Sequence, residues 1–449
     1  MGDPWDYEEE LAHRVLAWAE DRLRKDPSPF TGARPRAELE ATAGFTVTED
    51  GLGFAEAFRI FTDVLAPATR AQDHPLNLAY IPTAPTEAAR LMDIAVSVSS
   101  IFGGIWEAGA GAIFAENQAL DWLRDLAGLP EAAGGCFVSG ATIGTLSALA
   151  AARGAAGERP AGGWKLAATP EAHASVRSAA RVLDVGVVEV EGDERGRLTG
   201  PALREAVEGR EDVFAVVASA GTTNAGVVDD LDGVAEVCGE RGLWLHVDAA
   251  YGGAALVAPS VRDRFAGIER ADSLVVDPHK WLFANYDCAA LLYRDPARAA
   301  AVHSQHAEYL DSLDRQVWNP SDYAVHLTRR TRGLPFWFSL AVHGTAAYRE
   351  AVETSLTLSR QVADEIRRRP QLELVMEPDL SVLLFRRHGW GADECAAWST
   401  LHARAGTWLV VPTSWRGEAV LRLCFLHPRT QLADVRRLLD SLEVDPPPA

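Results

Sequence analysis

Short apolar runs that alternate with helical patterns are the feature that most constrains the fold of this chain. Seven such runs read as buried strands: GGCFVSG (134–140), WKLAAT (164–169), VGVVEVE (185–191), VFAVVASAG (213–221), LWLHVDAA (243–250), SLVVD (273–277) and CAALLYR (288–294). Helical patterns separate most of them, at 141–153, 172–183, 201–209 and 229–241. This alternation predicts an α/β fold, a mostly parallel seven-stranded sheet with helices on both faces. The seventh run follows the sixth closely, which favours an antiparallel strand there.

The pattern changes near residue 345. A helical stretch at 341–368 leads to the runs LELVME, LSVLLFRR, GTWLVVPT and AVLRLCFL and to a last helix at 430–442. These runs predict a smaller C-terminal α+β domain. Because 449 residues exceed one simple core, we expect three parts: an N-terminal helical segment (1–84), a large domain (85–345) and a small domain (346–449).

Composition and charge exclude several classes of protein. The net charge of -20 and the lack of a basic face argue against a nucleic-acid partner. The sequence contains no run of about 18 apolar residues, so it predicts no membrane span. The acidic first residues do not have the pattern of a secretory signal. The cysteines are far apart and form no CxxC motif, which argues against disulfides and zinc and favours the reducing cytoplasm. They are Cys136, Cys238, Cys288, Cys395 and Cys424.

Polar residues follow several of the predicted strands, where ligands of such sheets bind. In FVSGATIGT a strand ends before Gly140, and Ala141 and Thr142 open a helix. The free N–H groups of such a turn suit a phosphate. The alternative is an ordinary strand–helix turn in which Thr142 caps the helix.

Four further side chains occupy similar positions: His173, Thr223, Asp248 and Lys280. Each has a structural alternative: a structural histidine, a threonine or aspartate cap, and a lysine that extends its charge into water. Their order along the chain favours a ligand with a phosphate, a cationic ring nitrogen and an aldehyde. Pyridoxal 5'-phosphate (PLP) has these parts; a lysine forms a Schiff base with it and an aspartate pairs with its ring nitrogen.

Longer motifs carry a resemblance that covers nearly the whole chain. The chain resembles the group II pyridoxal-phosphate decarboxylases, the aromatic-L-amino-acid decarboxylase type of fold-type I enzyme. The matching segments are HPLNLAYIPT (74–83), DWL (121–123), TPEAHASV (169–176), GTT (221–223), LWLHVDAAYGG (243–253), ADSLVVDPHKWL (271–282), NYDCAALL (285–292) and LRLCFLHPRT (421–430). HVDAAY and DPHKWL together are the most specific of them.

The resemblance implies roles for individual residues. Lys280 would hold PLP as a Schiff base, with its pKa lowered by a dry, cationic surrounding. Asp248 would keep the ring nitrogen protonated, and His173 would stack on the ring. The other implied residues bind the coenzyme or the substrate: Ala141, Thr142 and Ser273 the phosphate; Ala250 and Thr223 the ring; His279 the phosphate or the reacting carbon; Tyr80, Thr83 and Phe102 the substrate.

The same resemblance implies the reaction and the assembly. The reaction is decarboxylation of an L-amino acid to the corresponding amine and CO2. The assembly is a homodimer with the active site at the interface, in which the amphipathic N-terminal helix at 5–25 covers the partner. An apolar stripe on that helix would otherwise face water.

Some positions depart from the family. Phe114 replaces an expected glutamate, and Ile143 replaces a glutamate of the phosphate turn. Gln72, Ile81 and Gly104 stand where aromatic decarboxylases tend to have larger aromatic residues, although Phe102 is retained. The sequence therefore leaves the substrate side chain open.

A loop at about 304–327 bears on the product. In the family a tyrosine of this loop protonates the substrate carbon, and relatives with phenylalanine there are aldehyde synthases that consume O2. The candidates here are Tyr323 and Tyr309, with Trp318 nearby. An O2-dependent oxidative deaminase is therefore the alternative enzyme. A coenzyme-binding or dimerisation partner without turnover is a third hypothesis, and the retained Lys280, Asp248 and His173 argue against it.

Overall fold

The computed structural model describes residues 7–25, 30, 32–305 and 317–444. Helices form its N-terminal part, and the predicted helix at 5–25 appears as α1. They are α1 (Glu9–Arg24), α2 (Arg36–Ala43), α3 (Phe54–Ile60), α4 (Glu87–Ser99) and α5 (Trp106–Ala127). None of the helices in these described ranges is both long enough and apolar enough to cross a bilayer.

The seven predicted runs form one central sheet. Its strands are β1 (Gly134–Val138), β2 (Lys165–Ala168), β3 (Gly186–Glu189), β4 (Val213–Ser219), β5 (Trp244–Asp248), β6 (Ser273–Val276) and β7 (Ala289–Tyr293). Their order is β1-β7-β6-β5-β4-β2-β3. The pairs from β3 to β6 are parallel, whereas β7 runs antiparallel to both β6 and β1. The predicted α/β sheet and its antiparallel seventh strand are confirmed.

Helices cover the sheet on both faces, which explains the nearly continuous apolar strands. They are α6 (Ala141–Ala155), α7 (Ala174–Val182), α8 (Gly200–Ala206), α9 (Leu231–Arg241) and α10 (Pro296–His303). In β4, Val216 and Ala218 belong to one apolar core, while Ala215 and Val217 belong to the core on the other face. Both sides of the strand are therefore removed from water.

The strand directions define one functional edge. β4, β5 and β6 are parallel, and β1 points the same way because it and β6 both oppose β7. The residues that follow these strands therefore meet at one edge of the sheet, as in other open α/β folds.

A second, antiparallel sheet follows the long helix α11 (Leu334–Arg367), which contains a non-helical residue at Gly344 (φ 73°). Its strands are β8 (Leu372–Leu374), β9 (Val382–Arg387), β10 (Thr413–Trp415) and β11 (Glu418–Cys424), in the order β10-β11-β9-β8. Helices α12 (Ala392–Ala405) and α13 (Leu432–Asp440) complete this part. The run GTWLVVPT (406–413) forms a strand only from its last residue, Thr413, where β10 begins; before it, Leu409 makes a single bridge with Asn77.

Polar contacts join the two sheets. The Asp379 side chain is 2% exposed and accepts hydrogen bonds from Arg195 and Arg264. The Tyr251 hydroxyl, next to the end of β5, lies 2.6 Å from the Ser381 hydroxyl. The predicted boundary at 345 falls inside α11, one residue after Gly344. The three domain limits stay a prediction.

A buried ion pair holds α5 against the segment that precedes α11. Arg329 donates to both carboxylate oxygens of Glu116, at 2.7 and 2.8 Å, and the two side chains are 0% and 2% exposed. Glu116 also accepts from the Gly333 amide, and Arg329 donates to the Gly103 carbonyl. Phe114, which replaces the expected glutamate, is 58% exposed, and the buried structural carboxylate of this helix comes from Glu116, two residues later.

Glu116→Ala is expected to lower the free energy of unfolding by about 3–5 kcal/mol, because it leaves a buried guanidinium without its counter-charge. Urea denaturation measures this loss. The control is Glu107→Ala, an exposed position on the same helix, where a change within about 0.5 kcal/mol is expected. Equal losses in the two variants would contradict the structural role of the pair.

Candidate active site

A cavity of about 270 Å³ opens at the carboxyl edge of the sheet. Residues that follow β1, β4, β5 and β6 line it, together with His173 at the start of α7. Its lining consists of Ser139, Gly140, Ala141, Thr142, His173, Ser219, Gly221, Thr222, Thr223, Asp248, Ala250, Tyr251, Asp277, His279, Lys280 and Tyr286. Eight of the residues predicted to bind PLP or take part in the reaction are among them: Ala141, Thr142, His173, Thr223, Asp248, Ala250, His279 and Lys280.

The turn before α6 has the form of an anion site. The first hydrogen bonds of the helix run from Ile143 and Gly144 to the Gly140 carbonyl, so the N–H groups of Ala141 and Thr142 precede the bonded turns. A Cβ placed on Gly140 would meet no atom within 4 Å. This open space in front of a helix N-terminus fits a phosphate group.

Asp248 ends β5 in the floor of the cavity. Its side chain accepts a hydrogen bond from the Ala250 amide at 3.1 Å, and the residue is 8% exposed. A buried carboxylate is costly unless a cation lies near it. A protonated ring nitrogen would supply that cation, so this position also fits PLP.

Lys280 and Asp277 form an ion pair in the same cavity, and the Asp277 amide donates to the Ala250 carbonyl at 3.1 Å. Lys280 Nζ lies 3.0 Å from Asp277 Oδ2, and the Asp277 side chain is 3% exposed. Burial alone would lower the pKa of Lys280, but attraction to Asp277 and Asp248 outweighs it and the pKa is raised. The predicted lowering of the pKa is therefore wrong, because the dry surrounding of Lys280 is anionic rather than cationic.

Asp277 is a site residue that the sequence prediction missed. It follows the apolar run of β6 just as Asp248 ends that of β5, and this shared pattern was the available signal. Its Oδ1 is buried and has no hydrogen-bond partner in the described ranges. His279 Nε2 lies 3.6 Å from its Oδ2.

His279 is held as a neutral ring. Burial lowers its pKa, and the nearby Asp277 opposes this effect only in part. Its Nδ1 lies 2.7 Å from the Cys288 carbonyl oxygen and 3.1 Å from the Cys288 amide nitrogen. These contacts fix the ring beside Lys280.

His173 and Thr223 line a more open part of the cavity, where both residues are exposed. His173 caps α7, with its Nδ1 2.8 Å from the Ser175 hydroxyl. The Thr223 carbonyl accepts from Arg422 of β11 at 2.7 Å, and Arg422 also donates to the Tyr80 carbonyl at 2.7 Å. Arg422, which the sequence prediction also missed, ties these two loops to the smaller sheet.

The phosphate role predicted for Ser273 needs correction. Ser273 begins β6, whereas the cavity lies beyond the other end of that strand. Its hydroxyl accepts from the Trp244 indole and lies 2.8 Å from His246 Nδ1, both in the buried interior. A serine at the amino end of a parallel strand therefore faces the wrong edge for the predicted role.

The predicted substrate residues fall in three places. Thr83 lines a neighbouring cavity of about 310 Å³ together with Gln72 and Tyr286, and its hydroxyl donates to the Ala284 carbonyl. Tyr80 lines a different cavity, beside His173. Phe102 forms a β-bridge with Arg330 and does not line the Lys280 cavity of its own chain. Their contacts with substrate stay predictions.

The two candidate loop tyrosines have different outcomes. Tyr309 lies outside the described residues. Tyr323 is buried, its ring stacks on Trp318 at 4.3 Å, and burial raises its pKa. It does not line the Lys280 cavity. Its catalytic role stays a prediction. The tyrosines that line the Lys280 cavity in the described residues are Tyr251 and Tyr286.

Fold and site together define a PLP-dependent enzyme of the decarboxylase class. The pyridoxal-dependent decarboxylase conserved domain matches residues 49–388. The chain belongs to this family. PLP is therefore its cofactor and amino-acid decarboxylation its reaction, as the resemblance implied.

Relatives and solved structures agree with this assignment. The chain is 31% identical to an aromatic-L-amino-acid decarboxylase of Bacillus atrophaeus, over 83% of this chain and 81% of the relative. It is 32% identical to an L-2,4-diaminobutyrate decarboxylase of Rhizobium meliloti (strain 1021), over 88% and 82%. The Oryza sativa TDC structure with PLP and tryptamine superposes with a TM-score of 0.89 at 25% identity, over 99% and 98%. These relatives do not favour the oxidative alternative.

Asp277→Asn is expected to lower the pKa of Lys280 in the coenzyme-free protein, because it removes the carboxylate that stabilises the ammonium. The chain has three lysines, Lys25, Lys165 and Lys280, so ¹³C NMR of labelled lysine can follow each one through a pH titration. The control is Asp212→Asn, since Asp212 pairs with Lys165 at 2.6 Å. That variant should leave the Lys280 titration in place, and an unmoved Lys280 in Asp277→Asn would contradict the pairing.

Proposed function

We propose that this chain converts an L-amino acid to its amine and CO2 as a cytoplasmic homodimer, with Lys280, Asp248 and His173 in the principal catalytic roles. The observation that carries these roles is the meeting of an amine, a buried carboxylate and an anion-binding turn in one cavity. Each of the three groups matches one part of PLP.

Bound PLP supplies an acceptor for the electron pair that stays on the substrate α-carbon when CO2 leaves. The residues of the chain hold and polarise it. Ala141 and Thr142 would bind the phosphate through the start of α6, and Asp248 would keep a proton on the ring nitrogen. Ala250, a small residue beside Asp248, leaves room for the ring.

His173 is suited to cover one face of the ring. Its imidazole is flat, its Nδ1 is held by Ser175, and the residue stays exposed toward the cavity. Thr223 lies on the same side, and Arg422 holds its backbone. Their fixed positions would orient the ring between α7 and the end of β4.

The Lys280 nitrogen has a carboxylate partner in the cavity. Its nitrogen must lose a proton before it can bond to carbon. Asp277 Oδ2, at 3.0 Å, is the carboxylate oxygen that pairs with it. We assign Asp277 the role of holding Lys280 at the site, with the neutral His279 beside it.

Two features support the homodimer with a shared active site. Large apolar side chains are exposed on the N-terminal helices and on α5, at Leu16 (53%), Val98 (79%) and Phe114 (58%). A second copy that covered them would remove this surface from water. Phe102 lies outside the Lys280 cavity of its own chain, which fits a contribution to the partner's site.

The cytoplasmic location rests on the cysteines. All five are free and buried, and their chemistry suits a reducing compartment.

The product test is a panel of L-amino acids that includes aromatic residues and L-2,4-diaminobutyrate, the kinds of substrate that the relatives' names give. CO2, amine and O2 are followed together with purified, PLP-loaded protein. We expect equal amounts of amine and CO2 with no loss of O2. Aldehyde formed with matching O2 uptake would contradict the decarboxylase reaction and support the oxidative alternative.

Asp248→Asn is expected to reduce kcat by about 1,000-fold, because a preorganised charge opposite the developing charge is lost. Steady-state CO2 release measures it, with bound PLP checked by absorbance. Asp263→Asn, an exposed position outside the cavity, is the control and should keep full turnover. Near-normal kcat in Asp248→Asn would remove this residue from the ring-partner role.

Mixed dimers test the shared site. Lys280→Ala and Phe102→Ala should each be inactive or nearly so as homodimers. Equilibrated together, they should regain about one quarter of wild-type activity, since half of the dimers then contain one intact site of two. No gain on mixing, or an active monomer in sedimentation, would contradict the proposal.

A further inference from the structure

Tyr286 lies at the boundary between two cavities. It lines the cavity that contains Lys280 and also the neighbouring one that contains Thr83. Its side chain is 48% exposed, and its ring lies 5.0 Å from that of His279. The phenol therefore borders the reacting end of the site and also reaches solvent.

The segment around Tyr286 is fixed on both sides. Asn285 Nδ2 donates to the Ala89 carbonyl at 3.2 Å, and Arg332 donates to Asp287 Oδ2 at 2.5 Å. The Cys288 amide lies 3.1 Å from His279 Nδ1. The half-exposed ring thus stands on an anchored backbone, as a group that acts at a defined point requires.

The surroundings of Tyr286 keep its hydroxyl protonated. Burial raises its pKa, the Lys280 ammonium opposes this effect, and Asp277 adds to it, with a net increase. At neutral pH the phenol is therefore a proton donor rather than an acceptor.

Other phenols near the site are engaged or placed elsewhere. The Tyr251 hydroxyl contacts the Ser381 hydroxyl at 2.6 Å and accepts from the Ser381 amide. Tyr80 is exposed beside His173, and Tyr323 stacks on Trp318. Within the described ranges, Tyr286 is the phenol that lines the Lys280 cavity without a hydrogen bond to its hydroxyl.

We propose that Tyr286 donates the proton that the substrate α-carbon gains after CO2 leaves. This inference rests on the proposed function. The bond between the α-carbon and the carboxylate breaks, and the pair of electrons stays with carbon. The O–H bond of Tyr286 then breaks as the new C–H bond forms, and the phenolate regains a proton from water through its exposed side. No oxidant or reductant is needed.

The first test is Tyr286→Phe, which keeps the ring and removes the hydroxyl. We expect kcat to fall by about 100-fold or more, the usual contribution of a general acid, with PLP affinity unchanged. Exchange of the α-hydrogen of the amine product in D2O, followed by NMR, should slow by the same factor, because it is the reverse of the proposed step. The control is Tyr7→Phe, at an exposed position just before α1. In this variant the α-hydrogen of the amine should exchange at the wild-type rate.

The rival donors are tested in parallel. Tyr309→Phe and Tyr323→Phe should keep most of the exchange rate. Wild-type exchange in Tyr286→Phe, or loss of exchange in a rival variant alone, would overturn the proposal. If the wild-type protein releases no CO2 from any L-amino acid, the proposed function fails, and this outcome is distinct from a normal wild type with an unaffected Tyr286→Phe.

A second readout does not depend on turnover. The chain has eight tyrosines, so protein with ¹³C at the ring carbon that bears oxygen gives few signals. The signal missing from Tyr286→Phe identifies Tyr286. Addition of PLP to coenzyme-free protein should shift that signal, whereas the Tyr323 signal should stay in place. An unshifted Tyr286 would overturn its placement at the reacting end of the site.

Discussion

The active site depends on the parallel register of β4, β5 and β6. Because these strands point the same way and each ends at the same edge, Asp248 and the Asp277–Lys280 pair are brought into one cavity. The antiparallel β7 lies between β6 and β1 and so returns β1 to the shared direction. The anion-binding turn after β1 therefore opens at the same edge as Asp248 and Lys280.

Charge balance is the second constraint. The cavity holds two buried carboxylates, Asp248 and Asp277, and one amine, Lys280. Lys280 pairs directly with Asp277 and is attracted to Asp248 as well, so one amine faces two carboxylates. A coenzyme with a basic ring nitrogen would add a cation near Asp248, and its anionic phosphate would suit the start of α6.

Much of this could be predicted from sequence, and the failures have physical reasons. Buried apolar runs predicted the central sheet because both of its faces are covered. GTWLVVPT is mostly not a strand, because apolar composition alone cannot show whether a neighbouring strand is available for pairing. The phosphate role of Ser273 came from the family resemblance, and it failed because Ser273 begins a parallel strand whose other end meets the cavity. The predicted direction of the Lys280 pKa shift was wrong because that direction depends on contact with the Asp277 carboxylate. The sequence does not show that the two side chains are in contact. Tyr286 was missed because it follows no strand end.

The central claim is that Lys280 is the residue that carries the coenzyme. Reduction of the PLP-loaded protein with borohydride, followed by peptide mass spectrometry, tests it directly, since Lys25 and Lys165 are the other lysines of the chain. The account predicts that the reduced coenzyme is found on the peptide that contains Lys280, and that Lys280→Ala carries none. Coenzyme on Lys25 or Lys165, or equal labelling of all three lysines, would contradict it.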